Sequence, residues 1–178
     1  MAKVAIVVAM SENRVIGKDG NLPWRLPRDM SRFVELTGNN IVVMGRKTWD
    51  SIPDKFKPLK RRINLVLSRD PEFKPEGCSV FSNLQTAIRM VQELEPKKKI
   101  FVIGGESVYK EALRLGIVEQ MFITMVHARF EGDTFFPEIN GDEWKATGGF
   151  RIPRDKENEY DMSFLLFERK KVRRTPLR

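Results

Sequence analysis

The chain has 178 residues, 41% of them hydrophobic and 31% charged, the size and make-up of one soluble domain that can bury a full core without staples. A single cysteine, Cys78, and a single histidine, His127, exclude an intrachain disulfide and a Cys/His metal cluster. The net charge of +8 invites a nucleic-acid partner, but six of the 32 basic residues lie in 169–178, and the preceding 168 residues carry 26 basic against 24 acidic side chains. The expected organisation is therefore one domain over 1–168 and a basic tail over 169–178 that is disordered and solvated, with nucleic acid disfavoured as a partner.

The first apolar run, Val4–Met10, soon meets Ser11, Glu12 and Asn13 and has no small-residue cleavage site after it. It is too short to span a bilayer and reads as a first strand, so a cytoplasmic protein without a membrane partner is expected. Ser11–Leu22 holds Asn13, Gly17 and Asp19-Gly20-Asn21, a stretch of turn formers of the kind that covers sites. Helical periodicity follows over Arg28–Leu36, with Pro27 near the first turn. Ile41–Met44, Ile63–Leu67 and Ile100–Ile103 are rich in Val, Ile and Leu with little alternation, as in strands of a parallel sheet covered on both faces. Helical stretches over Leu84–Leu94 and Ser107–Leu115 separate or follow them. In the first, Leu84, Ala87, Ile88, Val91 and Leu94 share a face and Asn83 is placed to cap. After Gly116 the pattern changes: Met121–Phe130 and Tyr160–Glu168 read as long strands with no helix between them, an antiparallel pair at one side of the sheet. The class is α/β.

Two strands end in glycine and run at once into a helix: Met44-Gly45-Arg46-Lys47-Thr48, and Ile103-Gly104-Gly105-Glu106-Ser107. Glycine permits close backbone approach, and a helix start offers unpaired N–H groups, so both suit phosphate. Glycine also ends strands for structural reasons alone, but two such motifs in one sheet suggest a ligand with more than one phosphate, such as a dinucleotide. The G-x-G-x-x-G fingerprint is absent. Arg46, Lys47 and Arg69 follow strand ends, and such cations either favour the extra phosphate of NADPH or form a solvated basic rim. On the first helix, Met30, Phe33, Val34 and Thr37 have inner-face spacing, and Asp29 flanks that stripe while Arg28 and Arg32 lie outward. Asp29 could bind an amidine-like heterocycle through two hydrogen bonds, or simply serve the helix dipole.

Taken in order, Val15-Ile16-Gly17, Leu22-Pro23-Trp24, Leu26-Pro27 with Asp29, Met44-Gly45-Arg46-Lys47-Thr48-Trp49-Asp50-Ser51-Ile52, Ile103-Gly104-Gly105 with Tyr109, and Phe130–Pro137 closely resemble dihydrofolate reductase, nearly to Glu168. The resemblance implies a single-domain, mostly parallel eight-stranded sheet with an antiparallel C-terminal strand, flanked by four helices. It implies reduction of 7,8-dihydrofolate to tetrahydrofolate with NADPH by a cytoplasmic protein, expected to be a monomer and without metal. Asp29 would hold the pteridine through its 2-amino group and N3, supported by Thr124, with Leu22 and Trp24 shielding the reacting atoms. N5 would gain its proton from a water under the Ser11–Trp24 loop.

By the same resemblance, Val7, Val8, Met30, Phe33, Ile52, Leu59 and Ile103 would line the substrate pocket, and Arg62 would pair with the α-carboxylate of the substrate's glutamate tail. Ala9, Ile16 and Gly17 would lie by the nicotinamide. Gly45, Arg46, Lys47, Thr48, Gly104, Gly105, Glu106, Ser107, Val108 and Tyr109 would meet the phosphates and ribose, with the two glycines joined by a cis peptide. Leu67, Ser68 and Arg69 would meet the 2′-phosphate end. Arg61 departs from the pattern, standing where related sequences often have glycine. The nearest rivals are a same-fold, NADPH-dependent pyrimidine reductase of riboflavin synthesis, which would not be expected to keep Asp29, Phe33 and Arg62, and a basic nucleic-acid-binding protein that acts through its tail.

Overall fold

The computed structural model describes residues 2–171. Its elements in chain order are β1 (Val4–Ser11), β2 (Val15–Gly17), α1 (Pro27–Thr37), β3 (Ile41–Gly45), α2 (Arg46–Ser51), a 3₁₀ turn (Asp54–Phe56), β4 (Ile63–Leu67), β5 (Ser79–Phe81), α3 (Leu84–Leu94), β6 (Ile100–Gly104), α4 (Glu106–Arg114), β7 (Val118–Val126), β8 (Thr134–Phe135), β9 (Trp144–Ile152) and β10 (Met162–Arg169). Eight strands form one sheet in the order β5-β4-β3-β6-β1-β7-β10-β9, and β2 with β8 form a small second one. The pairs from β5 to β7 are parallel, while β10 runs antiparallel to both of its neighbours. This is the expected mostly parallel sheet with an antiparallel C-terminal strand and, among the described residues, four α-helices.

The strands with the clearest apolar runs are the interior ones. Ile6, Ile41, Val43, Ile100 and Val102 face one core with α3 and α4, and Ala5, Val42, Val66 and Phe101 face the other with Trp49. Burial on both faces is what removes alternation from their sequences. Asn83 caps α3, its Oδ1 accepting from the Thr86 amide at 2.8 Å. Leu94 does not follow its helix face inward; it is 71% exposed in the last turn.

β9 gives no sequence signal of a half-buried strand. Between buried Trp144 and Ile152 its seven residues are all exposed, Gly148 and Gly149 among them, and it holds its place as an edge strand by pairing with β10. Arg169, placed by the sequence in the tail, instead ends β10: its Nε donates to the Val118 carbonyl at 2.9 Å and its guanidinium covers Trp144 at 4.7 Å. Lys170 is also tied back, to the Gly141 and Glu143 carbonyls. Residues 172–178 of the expected tail lie outside the described residues.

Ser11–Leu22 is more built than a simple cover. Ser11 Oγ accepts from the Val15 amide at 2.9 Å, and Asn13 exchanges two hydrogen bonds with the Phe130 backbone. Val15 and Gly17 pair with Phe135 and Thr134. The Lys18–Asn21 turn and Leu22 stand out into solvent, as do the side chains of Glu12 and Arg14.

The turn before β4 locks to the turn after α1, the Asn39 amide donating to the Arg61 carbonyl at 2.7 Å. Arg61 adopts φ +59° there, a left-handed conformation that costs a residue with Cβ about 1–2 kcal/mol. That explains why glycine suits the position. Arg61→Gly should raise stability by about 0.5–1 kcal/mol after the added freedom of the unfolded chain is subtracted, read from the urea midpoint at unchanged m-value.

Candidate active site

The carboxyl ends of β1, β3 and β6 and the first turn of α1 meet along one edge of the sheet, where ligands of open α/β folds gather. Ala9 on β1, Thr124 on β7 and Phe164 on β10 lie in one row across three adjacent strands. Asp29, third in α1, stands against that row. Burial pushes its carboxyl above the ordinary aspartate value, while the Thr124 hydroxyl and the charge of Arg32 act the other way. Thr124 is itself only 4% exposed. The arrangement is a carboxylate in an apolar wall with one hydroxyl beside it, suited to a flat heterocycle with adjacent donors.

Around it, Val7, Ile52, Leu59 and Ile103 pack on one cluster with Ala5, Val42 and Trp49, so the structure brings these expected pocket residues together. Val8 is not among them: β1 alternates, and its side chain points into the opposite core with Ile6 and Met10. Trp24 is buried against Phe130, with ring centroids 5.2 Å apart. Its Nε1 is buried and, among the described residues, has no hydrogen-bond partner, so a polar ligand atom or a water suits that position. Leu22 and Met30 are 47% and 51% exposed, standing at the rim; Phe33 is half-buried.

Arg62 is held in place by groups the sequence reading did not single out as partners. Its Nε donates to the Lys60 carbonyl at 2.9 Å and one terminal nitrogen donates to Thr37 Oγ1 at 3.2 Å. Thr37, fully buried, donates in turn to the Phe33 carbonyl at 2.7 Å. Buried Asn64 bridges the Leu59 backbone and the Arg62 carbonyl. No motif marks Thr37 or Asn64; a polar residue at a core-facing position was the one available signal.

The other flank is made of backbone. A Cβ on Gly45 would lie 3.2 Å from Val108, and one on Gly104 or Gly105 would lie 3.3 Å from Thr48 Oγ1. The Gly104–Gly105 peptide is cis, as the resemblance implies. α4 starts at Glu106 without a side-chain cap; the Val108 amide donates back to the Gly105 carbonyl at 3.0 Å, and the Glu106 and Ser107 amides at the helix start suit an anion. Ile16 is half-buried and Gly17 buried at this end. Tyr109 is buried beneath, its hydroxyl donating to the Val7 carbonyl at 2.8 Å, and burial together with the Asp29 charge pushes its phenol up. Glu106, Ser107 and Val108 open this helix, with Glu106 paired to Lys110 and accepting from the Phe135 amide at 3.1 Å. Further along, Ser68, Arg69, Phe73, Cys78 and Phe81 line a hollow of about 500 Å³, next to Leu67 at the end of β4. Arg46 is not free here: it pairs with Asp70 at 2.7 Å and lies over Phe73 at 4.4 Å. Lys47 and Arg69 are exposed. Among the described residues no group of His, Cys, Asp and Glu could hold a metal ion, and no helix is long and apolar enough to cross a membrane.

An anion cradle of glycines and a helix start, set beside an apolar wall holding one ionisable carboxylate, is the frame of a nicotinamide-nucleotide-dependent reductase. Residues 3–169 match the family model described as dihydrofolate reductase. The chain is 36% identical over 167 residues to a dihydrofolate reductase of Staphylococcus haemolyticus, covering 94% of this chain and 96% of that one. It is 41% identical over 151 residues to one of Rattus norvegicus, covering 78% and 81%. A dihydrofolate reductase from Enterococcus faecalis complexed with NADP(H) and RAB-propyl superposes with a TM-score of 0.84 at 33% identity, over 95% of this chain and 97% of that one. The chain belongs to the dihydrofolate reductase family, and as a member of it is an NADPH-dependent oxidoreductase.

Asp29 works against folding when charged. With its carboxyl raised above the unfolded value, stability is full below the ordinary aspartate pKa and falls as pH rises through the folded one. Asp29→Asn should therefore gain thermal stability at pH 7–8 and progressively lose that gain toward pH 4, measured by calorimetry of both proteins across that range.

Proposed function

We propose that the chain reduces 7,8-dihydrofolate to 5,6,7,8-tetrahydrofolate with NADPH, serving one-carbon metabolism. The observation that carries this reading is Asp29, an ionisable carboxylate set in an apolar wall beside Thr124, because a pterin offers a 2-amino group and N3 as a matching pair of donors. Asp29 binds that edge and, through its charge, favours the protonated ring without itself reaching N5. A water entering beneath Ser11–Trp24 delivers the N5 proton. Leu22 and Trp24 exclude other water from the reacting atoms.

Phe33, Met30, Ile52, Leu59, Val7 and Ile103 form the walls for the ring and the benzoyl group. Arg62, oriented by Thr37 and Lys60, receives the α-carboxylate of the glutamate tail. When bound, NADPH supplies the hydride from nicotinamide C4 to pterin C6. The Glu106 and Ser107 amides at the start of α4 and the open backbone at Gly45, Gly104 and Gly105 fit its phosphates, with Lys47, Thr48, Ser107 and Val108 around them. Ala9, Ile16 and Gly17 would flank the nicotinamide, Tyr109 would close the phosphate and ribose side, and Ser68 and Arg69 would take the 2′-phosphate. A cytoplasmic monomer is the state in which we expect this chemistry.

Purified protein should oxidise NADPH only when dihydrofolate is present and should use NADH poorly. Asp29→Asn should lower turnover by on the order of a hundredfold or more at neutral pH. Wild-type protein that binds NADPH but leaves dihydrofolate unchanged would overturn the substrate assignment, and the pyrimidine-reductase assay would then be run.

Arg62→Gln should raise KM for dihydrofolate about 10- to 100-fold, the loss of a charge-assisted pair, with kcat little changed. A pterin substrate lacking the glutamate should be reduced equally by both proteins, and an equal loss on that substrate would remove Arg62 from tail binding.

A further inference from the structure

Arg32 departs from its expected outward position. It lies one helical turn after Asp29, and its guanidinium carbon sits 4.2 Å from the centroid of the Phe164 ring. Phe164 is 5% exposed and is locked on both sides, being the register partner of Thr124 on β7 and of Phe150 on β9. Its ring meets Phe150 edge-on, with centroids 5.6 Å apart. Thr124 is the residue whose hydroxyl supports Asp29. Arg32, Phe164, Thr124 and Asp29 thus close a loop: the cation is fixed on a platform built into the same cross-sheet row that faces the carboxylate. A planar guanidinium stacked on an aromatic face keeps its charge in a dry setting far better than a free lysine.

We propose that Arg32 is a positioning residue for the reaction, the fixed cation that keeps Asp29 in its anionic form within the apolar wall. This rests on the assignment of Asp29 to pterin binding. Around Asp29 the charged and titratable groups are few. On α1 they are Arg28, Arg32 and Glu35; β7 offers only the Thr124 hydroxyl, and α4 the Tyr109 phenol, which is buried and neutral. The charge of Arg28 also acts on Asp155, in the segment between β9 and β10 that carries Glu157 and Glu159. Glu35 lies beyond Arg32 and acts on Arg32 itself. Among the described residues Arg32 is therefore the cation that offsets burial at Asp29, and it does so in the ligand-free protein, before any substrate arrives.

The test is the titration of Asp29 in ligand-free protein carrying ¹³C at the aspartate γ-carboxyl, the resonance being assigned by its loss in Asp29→Asn. In Arg32→Gln the midpoint should rise by about 0.5–1 pH, as expected when an opposite charge a turn away is removed from a partly solvated site. Arg32→Lys, which keeps charge without the planar stack, should recover about half of that. Phe164→Leu, which keeps the arginine but removes its platform, should shift the midpoint in the same direction as Arg32→Gln. The acid limb of kcat/KM for dihydrofolate should move with the NMR midpoint across the series. An unmoved midpoint in both Arg32→Gln and Phe164→Leu, with stability alone reduced, would give Arg32 a packing role only and overturn the proposal. Because the titration needs no substrate, failure of the dihydrofolate assay leaves it readable.

Discussion

Removing a carboxylate from water is the constraint around which this molecule is arranged. An ion so placed loses several kcal/mol of hydration even after the protein relaxes around it. The helix dipole returns about 0.3–1 kcal/mol near a first turn, too little alone. The remainder must come from groups held at fixed positions, and Asp29 has Thr124 and Arg32. Both are useful only if α1 cannot slide. Its start is pinned by the β9–β10 segment, where buried Asn158 accepts from the Arg28 amide at 3.0 Å and Glu159 accepts from the Arg25 amide at 3.1 Å. Leu26, the residue at the cap position, has no side-chain oxygen to offer, so the cap comes from elsewhere in the chain.

The strand order explains why this edge of the sheet has room for two ligands. From β1 the chain moves outward through β3, β4 and β5, then returns to insert β6 between β3 and β1 and crosses by α4 to β7 on β1's other side. At such a reversal the connections diverge and leave a crevice beyond the strand ends. Gly45, Gly104 and Gly105 lie at that crevice and keep it open, since Val108 and Thr48 would be crowded by any side chain there. Ala9 and Thr124 face it from the next two strands. A backbone-lined cradle and a side-chain-lined pocket thus share a boundary at β1, which is what hydride transfer between two bound molecules requires.

What the sequence disclosed follows the same division. β1, β3, β4 and β6 end within a residue of where their apolar runs end, because a strand covered on both faces shows mostly apolar residues, buried Asn64 of β4 being an exception. The glycine pairs are equally plain, since no other residue suits their contacts. β9 was invisible because its exposed residues and two glycines carry neither alternation nor β-branched enrichment; only its hydrogen bonds to β10 make it a strand. The substrate side was legible mainly through the family pattern. A helical wheel places Arg32 outward, and it cannot register that a ring from β10 rises to meet it. Nor can it say that Val8, one step from Val7, faces the opposite core.

This division has a consequence for how the two sites tolerate change. The cofactor flank depends on backbone amides and on the absence of side chains, so its outer cations are variable contributors; Arg46 is already committed to Asp70. The substrate flank depends on particular functional groups whose orientation is set two contacts away: Arg62 through Thr37 and the Phe33 carbonyl, Asp29 through Thr124 and the Phe164 row. Thr37 and Phe33 belong to the same helix that carries Asp29. In the proposed reading, the groups for the two ends of the substrate are thereby tied to one rigid element, so a displacement of α1 would change ring binding and tail binding together.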